Sequence, residues 1–193
     1  MSQTETSSHA IKYSIWGLLA IPFIYIVMRH ATDTISYGKV IHETGQWSVG
    51  LLFLAMVITP LRRIFTSTKW TSSLLYHRRA IGVASFAYAA HHTVVYLERK
   101  WGADLILTEG LKPSLATGWV ALLIFLLLAV SSNNSSVRLL GRKWKPLHRS
   151  VYIAAALVFA HWALASFDPV PAYIVLGLLC VIELLRFVPN RKT

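Results

Sequence analysis

Residues 80–97, AIGVASFAYAAHHTVVYL, and residues 150–167, SVYIAAALVFAHWALASF, decide the fold. At 1.5 Å of rise per residue each is long enough to cross the hydrocarbon of a bilayer as a helix, and neither contains Asp, Glu, Lys or Arg. Both nevertheless carry histidine, His91 and His92 in the first and His161 in the second. An ionisable ring in hydrocarbon is costly without a partner, so such residues face a bundle interior and mark a site.

Working outward, four more apolar runs at 13–28, 46–61, 113–137 and 170–188 bring the predicted crossings to six. The first two fall short of the roughly 17–25 residues a crossing needs, which predicts that their helices borrow flanking residues. The last run contains Glu183 and Arg186, expected to snorkel at the helix end. No strand-like alternation, internal repeat or Gly/Ser linker interrupts the plan. The prediction is an all-α integral membrane protein, a six-helix transmembrane bundle over 13–188 between a polar tail at 1–12 and a basic tail at 189–193. Residues 1–10 lack a positive run and no small-residue cleavage site follows, so the first apolar stretch reads as a retained helix.

Composition agrees: 55% of the 193 residues are hydrophobic and 14% charged, against about a quarter charged in soluble domains, and the mean hydropathy is +0.52. The net charge of +11 does not indicate nucleic acid, because the basic residues are confined to short segments between apolar runs. Cys180, the single cysteine, lies within such a run. That excludes a disulfide framework, a Cys-x-x-Cys metal site and covalent haem attachment, leaving nitrogen or oxygen ligands for any redox cofactor.

The basic residues also set orientation. Arg62, Arg63, Lys69, Arg78 and Arg79 follow the second run, and Arg138, Arg142, Lys143, Lys145 and Arg149 follow the fourth, with no acid in either group. With Lys12, Arg186, Arg191 and Lys192, fourteen of the nineteen basic residues fall on one side of six crossings. The other side holds Arg29, Lys39, Arg99, Lys100 and Lys112, offset by Asp33, Glu43, Glu98, Asp104, Glu109 and Asp168. The positive-inside rule therefore places both termini in the cytoplasm. Trp101, Trp119 and Trp162 lie near expected interfaces, where an aromatic belt accounts for them.

Helices 3 and 5 run in the same direction, so His92 pairs in depth with His161, and His148 pairs with the His77–Arg78 region. Arg78 and His92 are 14 residues apart, about 21 Å of rise with about 40° of drift, on one helix face at two depths. His148 and His161 are 13 apart, with a mismatch of roughly 140°. Either helix 5 is locally distorted or its histidines approach their ligands from different sides. Two neutral imidazoles on facing helices can grip haem iron axially from both sides, an arrangement suited to electron transfer. Zinc would want thiolate or carboxylate help that helices 3 and 5 lack near His92 and His161. The bland alternative is that these histidines only hydrogen-bond across helices. His9, His30, His42 and His77 are expected in tails or loops as solvated or interfacial imidazoles.

Taken together, Arg78-Arg79-Ala80-Ile81-Gly82, Phe86-Ala87-Tyr88, His92 with Tyr96, and Leu140-Gly141-Arg142-Lys143-Trp144-Lys145-Pro146-Leu147-His148 with Tyr152 and His161 resemble the MsrQ (YedZ) haem-binding subunits of the ferric reductase-like transmembrane superfamily. Thr44-Gly45 with Trp47 and Thr59-Pro60-Leu61-Arg62-Arg63 extend the likeness from about residue 42 to about 165. The resemblance implies a b-type cytochrome of the bacterial inner membrane, an electron-transfer subunit and not the catalytic one. It would form a heterodimer with MsrP, a periplasmic molybdopterin enzyme that reduces methionine sulfoxide in oxidised proteins. The implied cofactors are one or two b haems and FMN, and the implied donors are the quinone pool or a cytosolic flavin reductase. Position by position, His92 and His161 match one haem's ligands, His148 a ligand of a second haem nearer the cytoplasm, and Arg78 an arginine opposite it. His77 and His91 are also 14 residues apart, so a shift of one residue would make them the ligands. The Arg-Arg-x-x-Gly and aromatic anchors favour His92.

Related oxidases and ferric reductases fuse a flavin and NADPH domain to this bundle. Here the chain ends at Thr193 with no Gly-rich dinucleotide fingerprint, so a separate donor is expected. The basic loops would attract an acidic flavoprotein, a flavin phosphate or, more simply, anionic membrane lipid. Rival readings are a ferric reductase, another quinol-linked cytochrome b, and a haem-free membrane scaffold.

Overall fold

The computed structural model describes residues 3–65, 68–100 and 108–187, with the side chains of 3–12 and 69 excepted. Among these residues there is no strand, and six helical segments are long and apolar enough to cross a membrane. The helices are α1 (Gln3–Ala31), α2 (Tyr37–Ile64), α3 (Lys69–Arg99), α4 (Pro113–Val130), α5 (Asn134–Leu140), α6 (Trp144–Arg149), α7 (Val151–Ala165) and α8 (Val170–Leu184). A helix satisfies its own backbone, which is what an apolar surrounding requires. Accordingly Leu18, Ile21, Val120, Leu123, Leu127, Ile174 and Val181 are left exposed on the outer surface.

Helix ends follow local chemistry. Pro113 starts α4, where its missing N–H costs nothing. The Asn133 side chain accepts from the Ser136 N–H at 2.7 Å and caps α5. Gly141, at φ +48°, ends it in a conformation that favours glycine. The fifth crossing, Asn134–Ala165, is thus segmented. A further break falls at Ser150, whose N–H and hydroxyl both donate to the Leu147 carbonyl at 3.0 and 2.7 Å. That tight turn lies between His148 and His161, so an ideal-helix angle does not describe their relation.

Two hairpins form the body of the bundle. Helices α2 and α3 pack closely along their length, as do α4 and α7, whereas α3 and α7 barely approach each other. In the first hairpin the Ser48 hydroxyl donates to the Ser85 carbonyl at 3.0 Å, and Ser85 returns the bond to Ser48 at 2.8 Å. Such small polar residues let helix backbones approach while keeping every polar group paired. Tyr88, almost fully buried, ties α3 to α1 through a 3.1 Å bond to the Leu19 carbonyl and stacks on Trp47. An apolar septum of Leu52, Met56, Val57, Phe125, Ala154, Ala155, Phe159 and Leu179 joins the hairpins to α8.

The first two helices do borrow flanking residues: α1 begins at Gln3, ahead of its apolar run, and α2 begins at Tyr37, nine residues before the second one. Other expectations are corrected. His30, His42 and His77 are helical, not in loops, and His77 is buried. Glu183 and Arg186 lie together at the end of the last crossing. They pair at 2.6 Å, and Arg186 also reaches the Tyr152 hydroxyl and, at 3.3 Å, the Met56 carbonyl. Pro60 removes the N–H that would otherwise serve that carbonyl, so Arg186 fills a vacancy the sequence creates. The side chains of His9 and Lys12, and Trp101, Asp104, Arg191, Lys192 and the tail 189–193, lie outside the described residues.

Candidate functional site

Between the two hairpins, at the end of the bundle opposite the start of α1, is a cavity of about 980 Å³. It opens where α2 and α4 begin and α3 and α7 finish, and its walls include His92, His161, Gly45, Gly118, Trp119 and Trp162. His92 and His161 face one another with ring centres 6.2 Å apart and planes at 88°. A metal to imidazole nitrogen bond of about 2 Å, with the ring centre about 1 Å behind it, sets two axial imidazoles about 6 Å apart. The observed separation therefore matches one metal atom held between the rings.

Both rings are fixed from behind. His92 Nδ1 lies 3.0 Å from the Ile41 carbonyl and 3.4 Å from the Thr44 hydroxyl, while His161 Nδ1 lies 2.5 Å from the Ser114 carbonyl. A carbonyl only accepts, so each Nδ1 carries the proton and each Nε2 keeps its lone pair, as metal-binding imidazoles require. Behind each ring is a glycine. A Cβ on Gly118 would stand 2.9 Å from His161 Nδ1, and one on Gly45 would stand 3.5 Å from His92 Nδ1. The walls are mostly apolar, and among the described residues no group of three or more His, Cys, Asp or Glu could hold a metal ion by itself. This donor set fits a planar, metal-bearing cofactor that brings its own equatorial ligands, such as haem.

A family model described as the ferric reductase like transmembrane component matches residues 44–159, which include Gly45, His92 and Gly118. The chain belongs to the ferric reductase-like transmembrane family. Within that family it is similar to several proteins named protein-methionine-sulfoxide reductase heme-binding subunit MsrQ. The one from Ralstonia nicotianae is 33% identical over 165 residues, 81% of this chain and 73% of the relative. That from Azospira oryzae is 31% identical over 208 residues, 98% and 88% of the two chains. That from Brucella ovis is 37% identical over 163 residues, 80% and 72%. The chain is a member of this MsrQ group.

Other histidines are placed differently. His91 turns from the cavity toward α1, with its ring 5.5 Å from Phe23 and 6.0 Å from His30, and among the described residues its buried Nε2 has no hydrogen-bond partner. His30 in turn lies 3.7 Å from Glu98. His77 packs edge-on against Tyr76. His148, toward the opposite end, stacks on Trp144 at 4.0 Å, and its Nε2 lies 3.0 Å from the Ser131 hydroxyl. Trp144 is itself tied to the Ser131 carbonyl at 3.0 Å and covered by Arg79. Arg78 donates through Nε to the Ala55 carbonyl at 2.7 Å. Where His92 and His161 present lone pairs to a cavity, His148 is already engaged through its distal nitrogen.

Trp119 and Trp162, ascribed above to an aromatic belt, line the cavity, as do Tyr37, His42 and Tyr96. A rim of charge lies beside it: Glu109 pairs with Lys100 and Lys112, each at 3.4 Å. Partial burial would raise the Glu109 carboxyl, but the two ammonium groups outweigh it and hold the carboxyl below its usual range.

Proposed function

We propose that this chain is a b-type cytochrome subunit that holds haem between His92 and His161 and carries electrons across the membrane for a protein-methionine-sulfoxide reductase system. The observation that carries the reading is the pair of imidazoles 6.2 Å apart, each with Nδ1 committed to a backbone carbonyl. Haem held there by His92 and His161 would supply a one-electron carrier, which suits electron transfer. The chain's own residues do the rest. Ile41 and Ser114 orient the rings, Gly45 and Gly118 let them lie against the helix backbones, and the apolar walls exclude water from the metal.

The basic loops after the second and fourth crossings support an orientation with both termini in the cytoplasm, which places the cavity on the periplasmic side of the inner membrane. A periplasmic molybdopterin enzyme of the MsrP type is the fitting acceptor by family resemblance, and the relatives' names support a partner in a protein-methionine-sulfoxide reductase system. The donor would act from the opposite face, a quinol or a flavin reductase, with FMN and a second haem at His148 resting on family resemblance. Loading the second site would require His148 to release Ser131.

Full-length protein purified from haem-replete membranes should show a reducible low-spin b-type spectrum. Prepared as inverted vesicles, it should become reduced when reduced flavin or quinol is added. A colourless preparation would leave only the scaffold reading standing, and no reduction by either donor would remove the proposed direction of transfer.

A further inference from the structure

On the face of α3 turned away from the cavity, His91 is left without a role. Its Nε2 is shut off from water and, among the described residues, has no hydrogen-bond partner, a state that costs free energy unless something is bound there. The ring lies 6.0 Å from that of His30, in the last turn of α1, with the planes at 70°, and Phe23 packs edge-on at 5.5 Å. Two imidazoles on one metal ion stand with ring centres roughly 5–6 Å apart, depending on the angle at the metal. His30 is in turn backed by Glu98, 3.7 Å from its Nε2. A carboxylate there holds the proton on Nε2 and leaves the Nδ1 lone pair free.

The carboxylate help missing around His92 and His161 is therefore present at this pair. Glu98 is seven residues, about two turns, beyond His91 on α3, so it supports His30 from behind and leaves the ion to the two rings and water. The side chains of His30 and Glu98 are 26% and 57% exposed, so an ion from solvent can reach them. We propose that His91 Nε2 and His30 Nδ1 bind a divalent ion of the zinc or copper class at the end of the bundle where α1 and α3 finish. Imidazole nitrogen suits such ions, whereas magnesium and calcium take oxygen. Bound there, the ion would pin the end of α1 to α3. The site is independent of the His92–His161 pair, because His91 turns away from that cavity.

Untagged full-length protein in mild detergent, equilibrated with micromolar Zn2+ and separately with Cu2+, tests this. The expected result is about one ion per chain, with Cu2+ held more tightly than Zn2+ in the usual order for nitrogen ligands. Excess Mg2+ or Ca2+ should not compete. Glu98→Gln should weaken binding roughly tenfold, the scale of a lost partner behind a ligand, and His30→Gln or His91→Leu should weaken it further. Copper paramagnetic resonance should report two nitrogen ligands in the parent and one in either histidine variant. The control His9→Gln should bind as the parent does. No ion bound by the parent, or binding kept in full by His30→Gln, overturns the proposal. If His91→Leu fails to fold, His30→Gln and Glu98→Gln still decide. The absorption spectrum of the protein should be the same with and without the ion, and a haem signal that the ion displaces would place binding at His92 and His161 instead.

Discussion

The two ends of the bundle each hold histidine between helices, yet they differ in which imidazole nitrogen the protein has already used. At the end where α3 and α7 finish, His92 and His161 spend Nδ1 on backbone carbonyls and leave Nε2 for the cavity they line. At the opposite end the Nε2 of His148 meets a serine hydroxyl, and Trp144 covers its face. Residue type and spacing alone do not distinguish these cases. The second partner of each ring does, because it selects the tautomer and decides whether a lone pair is left for a metal.

The strongest attack on that contrast is His92→Ala or His161→Ala, each expected to abolish the low-spin signal of the haem between them, while His148→Ala leaves that signal intact. An unchanged signal in both His92→Ala and His161→Ala would remove the distinction. Next comes Gly118→Ala, which forces a methyl to 2.9 Å from His161 Nδ1. Overpacking of this kind costs about 1–3 kcal/mol, so haem affinity should fall roughly 5- to 150-fold. Gly45→Ala, whose added carbon meets His92 at an ordinary 3.5 Å, should change affinity far less. Equal losses in haem titrations would show that the glycines do not act as rests for the rings. A smaller effect is expected of Ser131→Ala, which frees His148 Nε2. The reduction potential of haem between His92 and His161 should hold steady, and any added haem signal would come from the end near His148.

Smallest of all is the effect at the rim. Because Glu109 is held below its usual carboxylate range, its contribution is complete above the unfolded value and is lost as pH falls through the lowered one. Thermal denaturation of Glu109→Gln and of the parent should therefore differ near neutrality and converge in acid. A gap that widens on acidification would contradict the pairing with Lys100 and Lys112.

Six crossings are legible in the sequence because long uncharged runs have few alternatives in lipid. Their starts are less so. Residues 37–45 include His42, Glu43 and Thr44, and α2 absorbs them because Thr44 bonds back to the Val40 carbonyl at 2.7 Å and is buried. The cost of an ionisable ring in hydrocarbon points to His92 and His161 without coordinates. Nothing comparable marks Gly45 and Gly118, whose importance lies in what a missing Cβ leaves room for. Trp119 and Trp162 sit near span ends, where depth is readable but facing is not. The angular mismatch between His148 and His161 remained open because Ser150, an unremarkable serine in sequence, interrupts the helix between them.

The exchanged hydroxyls of Ser48 and Ser85 have a mechanical consequence. Sliding α2 past α3 by one turn would strand both bonds in a dry contact, so Ile41, Thr44 and the ring of His92 travel as one piece. A large flat molecule entering between the hairpins therefore meets that side as a single wall.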